Sequence, residues 1–130
     1  MADWYNQICR DSLCANPFID GAIIIGPDGT TWGSHNFVVA GPDATKLATA
    51  CDQTLGTMIK VNESNMMLVV QEEASDDASE MVIMKGGGAS LVGFKCLRCM
   101  LFVLFANDDN RPLATEKAIE MSQYLISLSY

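Results

Sequence analysis

Basic residues are scarce in this sequence. Only 8 lysines and arginines stand against 16 aspartates and glutamates in 130 residues, which gives a formal net charge of -8. Binding of nucleic acid requires a basic surface that displaces counterions from phosphates, so no nucleic-acid partner is expected. Strong binding to anionic membranes is disfavoured for the same reason. Half of the basic residues lie between positions 85 and 111, which leaves room for a local basic patch.

Histidine occurs once, as His35, and this limits the metal and catalytic sites that the chain can build. The five cysteines include one C-x-x-C motif, Cys96 to Cys99, but no second pair and no further histidine complete a structural zinc site. The motif lies at the boundary of a predicted strand, not at a helix start that would lower a thiol pKa. We therefore expect no catalytic residues, no metal and no other cofactor, and we do not expect an enzyme.

Long hydrophobic runs are also missing. The longest, Met100 to Ala106, is far too short to cross a bilayer. The chain also does not start with basic residues followed by an apolar stretch, which is the pattern of a signal peptide. The odd number of cysteines favours free thiols in a reducing compartment. With 130 residues and a hydrophobic fraction of 49%, the chain is typical of one folded domain. We expect a single cytoplasmic domain over residues 1–130.

The first half of the chain combines helix and hairpin patterns. Asp3 is a candidate N-cap for a helix that the pair Asn16-Pro17 ends. The β-branched run 21–26 (GAIIIG), followed by Pro-Asp-Gly turn residues and by 30–32 (TTW), predicts a β-hairpin. A second helix is predicted over residues 41–55, because proline and aspartate stand at its start.

The second half is dominated by apolar runs that predict strands. An acidic loop, Glu72 to Asp77, separates the first two, and Pro112 begins a last helix with one apolar stripe. This order of elements predicts an α+β domain in which helices cover the faces of one antiparallel sheet. The predicted strands are residues 66–70, 81–84, 90–96 and 100–105, and the predicted stripe is Leu113, Ala118, Met121, Leu125 and Leu128.

Large aromatic residues stand near both ends, where chains usually fray. The chain opens M-A-x-W, carries a hairpin A-I-I-I-G-x-D-G-x-x-W, has a Lys-Gly-Gly turn between late strands, and closes with E-M-x-x-Y-L-x-x-x-x-Y. These motifs, in this order along the whole chain, resemble the profilin family. The resemblance implies a profilin-like fold, with a central antiparallel β-sheet, the N- and C-terminal helices on one face and shorter helices on the other.

The resemblance also implies a groove for proline-rich proteins such as formins. Terminal helices on one face would bring Trp4, Trp32, Tyr124 and Tyr130 together as polyproline-binding residues. A polyproline II segment is stiff before it binds and loses little entropy, and its pyrrolidine rings pack between aromatic faces. Indole and phenol groups can donate hydrogen bonds to its unpaired carbonyl oxygens.

One position departs from the family pattern. Profilins often carry a tyrosine three residues after the first tryptophan, where this chain has Gln7. Tyr5 follows Trp4 directly, and consecutive residues on a helix point about 100° apart. Tyr5 is therefore not expected to replace the missing ring, and a reduced affinity for polyproline is expected.

The second activity that the resemblance implies is binding of monomeric actin and regulation of its polymerisation. Profilins use the later strands and the start of the last helix for this contact, and positive charge there suits an acidic partner because it accelerates encounter. Glu116 stands where the family has a basic residue, so we expect weaker binding or a divergent actin. We expect weak phosphoinositide binding and a monomeric protein. The matching basic residues are Lys85, Lys95, Arg98, Arg111 and Lys117.

Two other classes of protein fit parts of the sequence. A roadblock- or longin-like scaffold, which dimerises in trafficking or motor complexes, also has a sheet flanked by helices and suits the hairpin equally well. Such a scaffold has no need for Trp4 and Tyr130 together. A small thiol enzyme is the other alternative, and it would require Cys96 or Cys99 to be reactive.

Overall fold

The computed structural model of the chain describes residues 2–74 and 79–130, with side chains from Trp4 onward in the first helix. The predicted cap at Asp3 and part of the predicted acidic loop 72–77 lie outside this description.

Helices lie on both faces of one sheet. The helices are α1 (Ala2–Gln7), which continues as a π-helical segment (Ile8–Leu13), α2 (Pro42–Ala48) and α3 (Arg111–Ser127), with 3-10 helices at Ala50–Asp52 and Asp108–Asn110. The strands are β1 (Gly21–Ile25), β2 (Thr31–His35), β3 (Met58–Val61), β4 (Ser64–Glu72), β5 (Met81–Gly86), β6 (Ala89–Lys95) and β7 (Met100–Phe105).

The strands form an antiparallel sheet in the order β2-β1-β7-β6-β5-β4-β3. β1 and β7 lie inside the sheet, and every residue of both strands is buried. This explains why GAIII and MLFVLF are continuous apolar runs. Both faces of these strands are covered, so neither run needs to alternate toward solvent.

The two faces of the sheet have separate cores. Ile23 and Ile25 point to a core that includes Leu47 of α2, whereas Ala22 and Ile24 point to a core shared with α1 and α3. Neighbouring residues of a strand point to opposite faces, so α1 and α3 share one face and α2 lies on the other. The predicted arrangement, with the terminal helices on one face and the shorter helices opposite, is confirmed.

The first helix widens after Gln7. Along the π-helical segment the Cys14 amide donates to the Cys9 carbonyl oxygen at 2.9 Å, five residues back. The wider turn allows both Ile8 and Leu13 to be buried, although an α-helix would spread residues five apart around its axis. One face of the whole first helix therefore stays on the sheet.

Two elements differ in length from the sequence prediction. The second predicted helix extends to residue 55, but α2 ends at Ala48, where the Thr49 hydroxyl donates to the Thr45 carbonyl oxygen at 2.9 Å. β3 is not predicted by the sequence, because its four residues leave Met58 and Lys60 exposed and are too few for a clear alternation.

The buried stripe of α3 is offset from the predicted one. Leu113 and Leu128 are 48% and 41% exposed, whereas Ala114, Ala118 and Ser122 are buried. α3 packs on β6 and β7, and small side chains in the contact allow a close approach. The predicted stripe is wrong at both ends of the helix. The prediction favours large apolar side chains, whereas small side chains make the contact with the sheet.

Candidate functional site

Four aromatic side chains meet on the α1 side of the sheet. They are Trp4 and Tyr5 of α1, Trp32 of β2 and Tyr130 after α3, and we call them the aromatic cluster. The Tyr5 ring centroid lies 4.9 Å from that of Trp4, 5.4 Å from that of Trp32 and 5.7 Å from that of Tyr130. The Tyr130 centroid also lies 5.8 Å from Trp4 and 6.2 Å from Trp32. All four side chains are half-buried, so the cluster packs internally and still presents ring surface to solvent.

α1 approaches β2 closely because Gly33 has no side chain. A Cβ at Gly33 would lie 2.5 Å from the main-chain carbonyl carbon of Tyr5 and 2.7 Å from the Asn6 nitrogen. The Asn6 side chain fixes this contact, since the Ser34 amide donates to its Oδ1 atom at 2.9 Å. Gly33 thus sets the distance between α1 and β2, and Asn6 sets their register.

Trp32 is directed into the cluster by a β-bulge. The register of β1 against β2 shifts between Ile24 and Ile25, which leaves Trp32 as the extra residue of β2. A bulge bends the strand and redirects the extra side chain. Gly26 accommodates the indole, because a Cβ there would lie 2.5 Å from the Nε1 atom of Trp32.

Tyr130 is held by main-chain hydrogen bonds. The Ser129 amide donates to the Ile126 oxygen and the Tyr130 amide donates to the Leu125 oxygen, both at 2.9 Å, in a Schellman motif. Ser129 occupies the left-handed position of the motif, with a φ of 69°. The Arg98 amide, in the turn between β6 and β7, donates to the main-chain oxygen of Tyr130. These bonds turn the chain back onto the sheet and place the Tyr130 ring in the cluster.

Tyr5 lies at the centre of the cluster, and the expectation that its ring points away from the other aromatic residues is wrong. Because α1 lies against β2 at Gly33, side chains about 100° apart flank the same contact, and both Trp4 and Tyr5 reach Tyr130. Burial, together with the neighbouring Tyr130 hydroxyl, raises the pKa of Tyr5 to about 12. The sequence signal that would have located Tyr5 is the pair Trp32-Gly33, in which a glycine beside the tryptophan permits a helix to approach.

Tyr124 lies beside the cluster and not within it. Its side chain is 48% exposed, and the ring contacts between described residues do not include it. With Trp4 and Gln7 it borders a depression of about 440 Å³ between the first helix and α3. Trp4 therefore belongs to both the depression and the cluster. The other lining residues are Ile8, Asp11, Ser12 and Met121.

Charged groups meet near the start of α3. The Lys85 Nζ atom lies 3.3 Å from Oδ2 of Asp108, and the Ser90 hydroxyl donates to Oδ1 at 2.9 Å. The hydrogen bonds from Ser90 and Lys85 lower the pKa of Asp108, and the charge of Arg111 adds to the effect. Lys85 and Arg111, both predicted for actin binding, are thus brought to one place.

A groove of about 550 Å³ runs between β5 and α3. It begins at Arg111 and mixes apolar side chains with charged ones. Lys117, also predicted for actin binding, lies beside it in an ion pair with Glu120 at 3.5 Å. The groove is lined by Met81, Ile83, Arg111, Pro112, Thr115, Glu116, Ile119 and Glu120.

Two exposed methionines extend this surface across the outer strands. Met58 pairs with Met67, Met67 pairs with Lys85, and each methionine is 43% exposed. Their strand neighbours point into the core on the α2 side, so the methionines face the α3 side. We call Met58, Met67, Lys85 and the β5–α3 groove the second face. The sequence analysis does not identify these methionines, because strand pairing decides which residues of MMLVV are exposed.

Lys95 and Arg98 do not lie on the second face. Lys85 pairs with Ser90 at the start of β6, whereas Lys95 ends that strand and forms an ion pair with Glu80 at 3.8 Å. Both residues instead line a small cavity that includes Thr49 and Cys51 on the α2 side. The five predicted basic residues are therefore divided between two surfaces.

Neither a metal centre nor a membrane span is found in the described residues. Within residues 2–74 and 79–130, no three or more histidine, cysteine or acidic side chains are grouped to hold a metal ion. No helix in the same ranges has the length and apolar character needed to cross a membrane. The five cysteines are free thiols, and burial raises the pKa of Cys9 and Cys51 to about 12.

Comparison with protein families decides between the two sheet-and-helix alternatives. The profilin family model matches residues 3–130. This chain belongs to the profilin family. The roadblock- or longin-like scaffold, which the hairpin alone suits equally well, is therefore not its family. No curated protein sequence matches this profilin.

Solved profilin structures share the fold at low sequence identity. Acanthamoeba castellanii profilin IA matches with a TM-score of 0.77 and 21% identity, over 97% of this profilin and 99% of that chain. LokiProfilin1, solved in complex with rabbit actin, matches with a TM-score of 0.68 and 18% identity, over 98% of both chains. Mouse profilin IIa, solved with a double repeat from the FH1 domain of mDia1, matches with a TM-score of 0.64 and 14% identity, over 97% of this profilin and 99% of that chain.

Proposed function

We propose that this profilin binds actin monomers, regulates their polymerisation and binds proline-rich segments, such as those of formins, through the aromatic cluster. The observation that carries the proposal is the mutual contact of four half-buried rings brought together from distant parts of the chain. The protein acts in the cytoplasm as a monomeric, non-enzymatic adaptor, with residues 1–130 forming one domain.

The aromatic cluster suits a polyproline II helix in shape and chemistry. Its rings are tilted or edge-on to one another and only half-buried, so ring surface stays open to the pyrrolidine rings of a ligand. The carbonyl oxygens of polyproline II have no internal partners, so they accept hydrogen bonds from phenol and indole donors. The Tyr5 phenol is protonated at physiological pH, as an unperturbed tyrosine is, and burial raises its pKa further, to about 12. We assign peptide binding to Trp4, Trp32, Tyr130 and Tyr5, with Tyr124 at the margin of the ligand.

A decaproline peptide should change the intrinsic tryptophan fluorescence, because both tryptophans of the chain belong to the aromatic cluster. The expected result is a saturable change in emission during titration. A glycine-serine peptide of equal length is the control, since it lacks the stiff helix and the pyrrolidine rings. An emission spectrum that does not change at millimolar decaproline would rule out peptide binding at this surface.

The second face suits an acidic protein partner. It combines exposed apolar area at Met58 and Met67 with the charges of Lys85 and Arg111, which Asp108 offsets in part. Apolar contact supplies burial, and complementary charge accelerates encounter and fixes register. LokiProfilin1, which shares the fold, is solved with rabbit actin. We assign actin binding to Lys85, Arg111 and Lys117, and we leave out Lys95 and Arg98 because they lie on the other surface.

Charge reversal at Arg111 should slow actin binding. Arg111→Glu is expected to lower the association rate constant about tenfold at low salt, because it replaces attraction by repulsion at the contact. Lys46→Glu changes the net charge equally but lies on α2, on the opposite face, so its rate should stay close to that of the wild type. Stopped-flow measurement with labelled actin monomers compares the two. Equal slowing by both variants would show that only net charge matters and would contradict the assignment.

We propose that phosphoinositides bind only weakly, because the lysines that could contact phosphate already have carboxylate partners. Lys85, Lys95 and Lys117 each have a carboxylate partner within 4 Å, at 3.3, 3.8 and 3.5 Å. Phosphate groups would have to compete with these carboxylates as well as with a net charge of -8.

A further inference from the structure

Cys96 and Cys99 face each other across the turn between β6 and β7. The strand pairing ends with Lys95 opposite Met100, and the Cys96 amide then donates to the Cys99 carbonyl oxygen at 2.8 Å. Opposed residues of antiparallel strands have Cα atoms about 4.5–5.5 Å apart, within the roughly 4.4–6.8 Å that a disulfide spans, and the two thiols are hydrogen-bonded to each other. We call residues 96–99 the CLRC turn. Its two cysteines are free and buried.

Both thiols contact the main chain of the last helix and of the residues that follow it. The Cys96 Sγ atom lies 3.9 Å from the Ser122 carbonyl oxygen, and the Cys99 Sγ atom lies 3.8 Å from the Tyr130 oxygen. The Arg98 amide donates to the same Tyr130 oxygen. The CLRC turn is therefore the part of the sheet on which Tyr130 rests, and Tyr130 contributes a ring to the aromatic cluster.

We propose that Cys96 and Cys99 are a redox modification site, in which a reversible disulfide loosens Tyr130 from the aromatic cluster and weakens peptide binding. This inference rests on the proposed peptide-binding function. The modifying reagent is a small disulfide of the oxidised glutathione class.

The reaction is a pair of thiol–disulfide exchanges. The Cys99 thiolate attacks one sulfur of the oxidant R–S–S–R and displaces R–S⁻, which takes up the proton that Cys99 lost. The Cys96 thiolate then attacks the Cys99 sulfur, and the second R–S⁻ leaves and takes up the proton from Cys96. The two cysteines lose two electrons and two protons in total, and one oxidant molecule becomes two R–SH. A hydrogen bond from the Cys96 thiol lowers the pKa of Cys99, which favours Cys99 as the first nucleophile.

The effect on Tyr130 follows from the lost contacts. A disulfide has no S–H group, so the donor to the Tyr130 oxygen disappears. Drawing the two sulfur atoms together also shifts the turn that carries the Arg98 amide. The Ser129 and Tyr130 amides keep their bonds to α3, so the contacts that are lost are those between Tyr130 and the CLRC turn. The coupling is reciprocal at equilibrium, so a ligand that holds Tyr130 in the cluster also makes the disulfide less stable relative to the two thiols by the same factor.

The test uses the whole protein, reduced or treated with oxidised glutathione. Trypsin cuts after Lys95 and Arg98, so the disulfide is identified by mass spectrometry as a link between the two resulting peptides. Decaproline titration by tryptophan fluorescence is expected to show about fivefold weaker binding in the oxidised form. Dithiothreitol is expected to restore the affinity. Cys51→Ser should keep this response, whereas Cys99→Ser should lose it.

A second measurement on the wild-type protein covers the case in which Cys99→Ser does not fold. Alkylation of Cys99 by iodoacetamide should be at least about threefold slower with saturating decaproline, because the buried thiol reacts only when Tyr130 moves away from it and the peptide holds Tyr130 in place. Unchanged affinity of the linked protein, absence of the link after oxidation, or equal alkylation rates would each overturn the inference. If reduced protein does not bind decaproline, the peptide-binding proposal fails by itself. In that case the redox coupling is tested by the tryptophan emission of the protein without peptide. If that emission does not change when the disulfide forms, the redox coupling is overturned as well.

Discussion

Replacing Tyr5 with alanine is expected to weaken decaproline binding about thirtyfold or more, and Trp4→Ala is expected to have a similar effect. Tyr5 contacts each of the other three rings of the aromatic cluster, so its removal opens the centre of the binding surface. Central aromatic residues of an interface typically contribute at least about 2 kcal/mol, which corresponds to about thirtyfold in affinity. Fluorescence titration or retention on polyproline beads measures the loss.

Gln7→Ala is the matched control for Tyr5→Ala. Gln7 is two residues further along α1, at the position where the family often has its tyrosine, and it borders the depression beside Tyr124. Its replacement should change the affinity by less than about twofold. Tyr5→Phe should retain most of the binding, because the ring stays in place. A greater loss of affinity from Gln7→Ala than from Tyr5→Ala would show that the peptide binds in the depression beside Tyr124. That result would contradict the central role of Tyr5.

Gly33→Ala should damage both the stability and the peptide site. The new Cβ atom would lie 2.5 Å from main-chain and Cβ atoms of Tyr5, which a rotamer change cannot relieve. We expect the free energy of unfolding to fall by about 1–3 kcal/mol as α1 is pushed from β2. Decaproline affinity should fall more than about tenfold, because Trp4 and Tyr5 move with the helix. Urea denaturation and fluorescence titration measure the two effects.

Ser34→Ala is the control on the same strand. Its main-chain amide, and not its hydroxyl, bonds to Asn6, so the contact with α1 is preserved. Its effect on stability should stay within about 0.5 kcal/mol. A Gly33→Ala protein that binds decaproline as the wild type does would show that α1 tolerates displacement from β2.

The inner strands and the meeting of the chain ends were predictable from the sequence. MLFVLF and GAIII are buried on both faces, so apolar character alone marks them, and β7 coincides with the predicted 100–105. The family resemblance supplied the placement of the terminal helices, which no local pattern specifies. β3 escaped prediction because it has four residues, half of them exposed.

Residues whose position depends on a neighbouring element were not predictable. The place of Tyr5 is decided by β2 passing under α1 at Gly33, not by its angle from Trp4 on the helix. The resemblance places Lys95 on the same surface as Arg111, but Lys95 lies at the far end of β6 and beside Glu80. In both cases the deciding fact is a contact between residues distant in sequence, which spacing along one element does not encode.

The two outermost strands also have a consequence for the protein in concentrated solution. β2 is bulged and β3 has only four residues, one of them the exposed Lys60. Edge strands that are short, bulged or charged pair poorly with a strand of another molecule. Such edge strands hinder the edge-to-edge pairing of sheets from different molecules into fibres. They do so even though the interior strands are among the most apolar segments of the chain.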